Sequence, residues 1–146
     1  MTKEETTRSL SKRLQNVRTN RDADSFLQED TAGIKPFHEL LQIQLYQNHI
    51  EIKELIQRSN ISRNYIYNIL NGTRTNPSRD HVLALCIGSG MSFSKTNQAL
   101  ESLKLSPLYP RDERDVRIAV CINQGTHDVT KVNLILDEHN LQPLHI

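Results

Sequence analysis

The chain has no tryptophan, and its 146 residues hold only three phenylalanines and four tyrosines, so a core has to be built mainly from aliphatic side chains. No apolar run approaches the roughly 18 residues that a membrane span needs. The opening MTKEETTRSL lacks the apolar stretch of a secretion signal, so a cytoplasmic location without membrane contact is expected. Two cysteines are too few for a disulfide framework and read as reduced, buried thiols. Sustained two-residue alternation is missing as well, which excludes a strand-based reading and leaves an all-α chain. The six histidines have no paired ligand spacing. A glycine-rich phosphate loop, a nucleophile motif and clustered carboxylates are all wanting. No metal, no cofactor and no catalysis is therefore expected.

Charge of one sign is scarce overall but not locally. The formal net charge is +1, yet the segment from Arg58 to Arg79 carries four arginines and no acidic residue. Residues 37–57 hold one basic and three acidic residues, and residues 80–146 hold six and eight. A positive excess confined to one window is the footprint of a binding face rather than of a generally basic protein.

Residues 1–36 form a polar N-terminal arm. Leu10, Leu14 and Val17 share a helical face, enough for a short helix around residues 5–18, and Pro36 marks a boundary. Beyond it, Phe37, Leu41 and Leu45 line one helix face, and Ile52, Leu55 and Ile56 line the next. Asn60 tolerates the left-handed conformation of a tight turn. Ser62 is a good N-cap, Gly72 a helix stop, and Pro77 followed by Ser78 starts another helix.

A repeat occupies the second half. SRDHVLALCIGSG (78–90) aligns with ERDVRIAVCINQG (113–125), so that Arg79, Asp80, Ala84, Cys86, Ile87 and Gly90 coincide with Arg114, Asp115, Ala119, Cys121, Ile122 and Gly125. After one inserted residue, SFSKTNQALESLKLSPL (92–108) aligns with DVTKVNLILDEHNLQPL (128–144). Each unit, 78–108 and 113–144, reads as an apolar helix, a glycine stop, an N-cap at Ser92 or Asp128, a second helix and a Leu-x-Pro-Leu tail. A lone hairpin cannot bury its apolar face, so the two are expected to pack together, with Cys86 and Cys121 as equivalent core positions.

Within the basic window, a helix from Ser62 to Asn71 gathers Ile66, Ile69 and Leu70 on one side and Asn64, Asn68 and Asn71 on the other. A solvent-facing row of asparagines is poor helix material. Its amides, however, can donate to and accept from the major-groove edge of adenine at once. Arg63 can reach a guanine edge or a phosphate. Arg58, Arg74 and Arg79 fall before and after this helix, where a duplex backbone would pass.

Residues 37–88 resemble an Xre-type (Cro and lambda-repressor-like) helix-turn-helix domain of bacteria. The likeness rests on Phe37 and Leu41, on ELIQRSNISRNYIYNILNG, and on RTNPSRDHVLAL. Two positions depart from the family pattern: Asn60 replaces the turn glycine, and Ile52 stands where repressors often carry a phosphate-binding glutamine. The stretch through SFSKTNQALESLKLSPLYPRDERDVRIAV is similar to a subgroup carrying a helical extension. The implied fold is a lambda-repressor-like bundle (37–90) fused to a duplicated αα-hairpin (78–144). The resemblance implies sequence-specific binding of double-stranded DNA by a transcriptional regulator, with Arg63, Asn64 and Asn68 at base edges. Asn71, Thr73 and Arg74 would lie near phosphates, beside Arg58 and Arg79, while Ser62 is a cap first and a backbone contact second. Of the flanking Tyr65 and Tyr67, one hydroxyl can reach a phosphate while the other ring packs, and Tyr67 is the candidate for the phosphate.

Such domains gain affinity as symmetric pairs, so a homodimer is expected. A second reading stays open at this point: a protein-interaction module, an antitoxin or signalling adaptor, that keeps the helix-turn-helix as scaffold. Its partner would be held through residues 78–144 or the N-terminal arm.

Overall fold

Pro36, with its ring-fixed φ of −65°, opens the first helix of a computed structural model that describes residues 19–21 and 35–146. The helix expected around residues 5–18 lies outside the described residues. Within the unit from Pro36 to Ile146 there are seven helices and no strand: α1 (Phe37–Gln47), α2 (Ile52–Ser59), α3 (Arg63–Leu70), α4 (Arg79–Gly88), α5 (Phe93–Ser102), α6 (Glu113–Asn123) and α7 (Val129–Glu138).

Local chemistry sets the ends of these helices. α1 buries Phe37, Leu41, Gln44 and Leu45 along one face. α2 ends because Asn60 adopts the left-handed conformation, φ 60° and ψ 18°. Asparagine enters that region at lower cost than most non-glycine residues. Ser59, fully buried in the same turn, donates from Oγ to the Leu55 carbonyl at 2.6 Å and accepts from the Ile61 N–H at 3.2 Å. Side-chain oxygens cap four of the following helices at the third residue along: Ser62 for α3, Ser78 for α4, Ser92 for α5 and Asp112 for α6. Asp128 caps α7 by accepting from the Thr130 N–H.

α4 is the central rod. Every residue from Val82 to Gly88 is buried, the pattern of a helix surrounded on all sides. Gly88 lets α2 come close: a Cβ there would sit 3.1 Å from Leu55 Cδ1 and 3.3 Å from the Ser59 backbone nitrogen. Around α4 lie α2, α5 and α7, while α5 also meets α6 and α1 meets α3 and α5.

The repeat units are joined reciprocally. Arg79 of the first unit forms a two-pronged pair with Asp115 of the second, at 2.9 and 2.8 Å. Arg114 of the second forms the same pair with Asp80 of the first, at 3.0 Å for both prongs. Each arginine also donates to two carbonyls of its own unit's tail, Ser106 and Pro107 or Gln142 and Pro143. The Tyr109 and His145 N–H groups complete the exchange on Asp115 and Asp80. Such charge-assisted, bidentate bonds fix orientation as well as contributing energy. Burial raises the Asp80 carboxyl, but Arg114, the His145 N–H and the Arg79 charge together outweigh it and hold it below its ordinary value. The cysteines are free and buried, and burial pushes the Cys86 thiol up to about 12.

Candidate nucleic-acid interface

The outward face of α3 begins with its cap. Ser62 Oγ accepts from the Tyr65 N–H at 3.3 Å, starting the helix one residue before Arg63. Ile66 and Ile69 are buried against the core, which fixes the rotation of the helix about its axis. Arg63, Asn64 and Asn71 are thereby turned outward and exposed, with Asn68 half-buried on the same side. Gln42 of α1 ties down the far end of the helix by donating from Nε2 to the Leu70 carbonyl at 2.7 Å.

Past α3, the chain reverses at Gly72, whose φ of +79° is a conformation glycine adopts freely. Asn71 Oδ1 accepts from the Thr73 N–H at 2.9 Å, and the Arg74 N–H donates to the Asn68 carbonyl at 2.9 Å. The loop bearing Thr73 and Arg74 is thus laced back onto the helix, with both side chains exposed. Tyr67 is 47% exposed, whereas the Tyr65 ring packs.

Tyr65 is the middle layer of a stack. The Arg74 guanidinium carbon lies 4.4 Å from the Tyr65 ring centroid. The His81 ring of α4 stacks on Tyr65 at 4.5 Å between centroids, with 19° between planes. Ser78 Oγ, 2.6 Å from His81 Nδ1, holds that imidazole. Burial, with Arg74 and His145 acting the same way against Asp80, lowers the proton affinity of His81. Burial raises the Tyr65 phenol, with Arg74 opposing it. Both shifts favour the neutral form of the ring. Sequence reasoning did not find this stack, because it joins residues from α3, the loop and α4 that no helical period relates.

Two residues expected at phosphates, Arg79 and Arg58, have partners within the protein. Arg79 has its guanidinium occupied by Asp115 and two carbonyls, so it braces the two repeat units. Its recurrence as Arg114 in the second unit, which follows no helix-turn-helix, is the signal that could have revealed this. Arg58 pairs with Glu54 at 3.4 Å. It also lines a cleft of about 400 Å³ with Gly125, Thr126, His127, Asp128 and Lys131 of the second hairpin. Asn60 adds a bond across that junction, from Nδ2 to Thr130 Oγ1 at 3.1 Å.

The order of parts is that of a helix-turn-helix: α2, the turn at Asn60, then α3 seated on α1 and α2. No curated protein and no solved structure matches the chain. The family model described as the Cro/C1-type HTH DNA-binding domain matches residues 41–88, from within α1 to the end of α4, and leaves α5 to α7 beyond it. The chain therefore contains a Cro/C1-type helix-turn-helix, a DNA-binding domain of the kind that serves transcription regulation, continued at its carboxyl end by α5 of the first hairpin and by α6 and α7 of the second.

Proposed function

We propose that the chain is a transcriptional regulator that reads specific double-stranded DNA by laying α3 in the major groove. What carries the reading is the exposed face of α3. Arg63 and Asn64 stand exposed, with Asn68 half-buried beside them, on a helix whose rotation is fixed by Ile66 and Ile69, in a window free of carboxylates from Arg58 to Arg79. Asn64 and Asn68 can each pair with both groups of an adenine edge, and Arg63 with both acceptors of guanine. Ser62, Tyr67, Asn71, Thr73 and Arg74 surround that face as backbone contacts. The Asn71 amide nitrogen remains available to a phosphate while its oxygen caps Thr73. Arg79 is left out of the set because four of its five donors are already used, and Arg58 because it faces the second hairpin. In this reading the hairpins of residues 78–144 buttress the unit that reads DNA.

The test is selection of bound duplexes from a randomised pool at about physiological salt, where non-specific phosphate contacts are weak. An enriched motif is expected. Half-sites in inverted order about one helical turn apart would add a symmetric dimer, and a single motif would assign monomeric binding. Asn68→Ala should relax preference at one base position, at a cost of about 1–3 kcal/mol, and leave the others unchanged. An unenriched pool, or a variant with the parent's full preference, would sink the reading at its named residues.

A further inference from the structure

Arg74 sits on a chain reversal, exposed, on a side chain with many rotamers. A cation so placed loses much of its binding free energy to ordering when it meets a ligand, unless it is ordered beforehand. Here the ordering device is present in the free protein. The guanidinium carbon lies over the Tyr65 ring, 4.4 Å from its centroid, the Tyr65 ring stacks on His81 at 4.5 Å, and Ser78 holds His81 in turn. The backbone beneath Arg74 is fixed as well, through its N–H to the Asn68 carbonyl.

The repeat supplies an independent argument. Residues that serve the hairpin framework recur in both units, as Arg79 and Asp80 recur in Arg114 and Asp115. His81 does not recur: the corresponding residue of the second unit is Val116, which is exposed. The imidazole is therefore dispensable to a hairpin of this kind, and it appears only in the copy that lies under Tyr65.

We infer that Tyr65 and His81 are positioning residues that hold the Arg74 guanidinium ready for a DNA phosphate, so that the first hairpin takes part in DNA binding through α4. This rests on the DNA reading above and names a part of its machinery. A guanidinium held over a ring still has N–H donors to offer a phosphate oxygen. The ring beneath supplies the attraction that keeps the cation in place.

The experiment measures binding of the full chain to its selected duplex over a range of salt concentrations. Tyr65→Leu should weaken binding roughly threefold to fivefold, the loss expected of a cation–π contact at a surface. The slope of log affinity against log salt should become shallower by up to about 0.9, the value of one phosphate on duplex DNA. Base preference should not change. Tyr65→Phe, which keeps the ring, should bind like the parent. Arg74→Ala should cost little more in the Tyr65→Leu background, since the two residues act as one unit. Should Tyr65→Leu melt early, His81→Leu asks the same question from the rear of the stack, and a shallower slope is again expected. A parent salt slope in the folded leucine variants, or a full Arg74→Ala loss in the Tyr65→Leu background, would overturn the inference and leave the DNA reading standing. Failure of the parent to enrich any duplex would overturn both.

Discussion

The two hairpins share a framework but not a burial pattern. In each, a first helix carries Arg-Asp at its start, a glycine ends it, a capped second helix follows, and a Leu-x-Pro-Leu tail returns to the arginine. The asparagines agree as well: Asn97 accepts from the Leu108 N–H and Asn133 from the Leu144 N–H. The difference lies along one stripe of the first helix. His81, Leu85 and Gly88 of α4 correspond to Val116, Val120 and Asn123 of α6. Leu85 is 0% exposed, and Val120 is 44% exposed. Gly88 admits α2 at van der Waals contact, and an asparagine side chain at Asn123 would forbid that approach. Residues that recur build the duplicated scaffold, and residues that differ adapt one copy to carry the reading domain.

The sharpest way to break this comparison is to truncate the equivalent leucine and valine. Leu85→Ala removes a fully enclosed side chain from α4, and should cost about 2–5 kcal/mol in denaturant unfolding. Val120→Ala removes one already half in water, and should fall within about 0.5 kcal/mol of the parent. Equal costs at both positions would mean that the outer face of α6 is covered in solution, and the asymmetry argued above would fail.

The next largest effect should come from the shared Arg–Asp exchange, where the copies differ only in degree. The Asp115 side chain is 7% exposed and that of Asp80 21%. Asp115→Asn leaves Arg79 facing a neutral amide, and should cost about 2 kcal/mol. That is below the roughly 3–5 kcal/mol of fully buried pairs, because Arg79 keeps part of its side chain in water. Asp80→Asn should cost less, about 1 kcal/mol, for the same reason. Acid unfolding tests the second pair. The Asp80 carboxyl titrates below its ordinary 3.8 in the folded protein, so the stability it contributes is complete above that pH and is lost as pH falls below it. Asp80→Asn should remove that part of the acid dependence, and an unchanged acid profile would contradict the pairing.

How much of this could be read in advance follows from the range of the interactions involved. Helix ends were legible because caps and stops are local: Ser62, Ser78, Ser92 and Asp128 act within three residues, and Asn60 turns the chain by its own backbone. The repeat was legible because spacing survives in sequence, and the all-helical class follows from periodicity. The exchange of Arg79 and Arg114 between units was not, since recurrence shows that two residues matter without showing that they cross over. Arg79 stands in a basic window, and charge alone cannot tell a brace from a phosphate ligand. The direction of Arg58 depended on where the second hairpin docks, and the stack of Arg74, Tyr65 and His81 on how α3 meets α4. Both are tertiary facts that no local pattern encodes.

The smallest expected effect concerns the one titratable residue that separates the two stripes, His81 against Val116. His81 is enclosed by Tyr65 and Ser78, with Arg74 and His145 opposing its protonation and Asp80 favouring it, and its net proton affinity is lowered from the ordinary 6.5. The unfolded chain therefore binds a proton there before the folded one does. The sign follows: the contribution of His81 to stability is complete above pH 6.5 and declines as pH falls below it toward the folded-state value. His81→Val, which makes the first stripe like the second, should flatten the dependence of unfolding free energy on pH just below neutrality. Val116→His places an imidazole on an open surface, where its proton affinity stays close to that of the unfolded chain, and should add no such dependence. A parent protein whose stability is level from pH 7 to 5, or a His81→Val variant that keeps the slope, would show that the ring is not held neutral by its surroundings. The difference between the two stripes would then be one of shape alone.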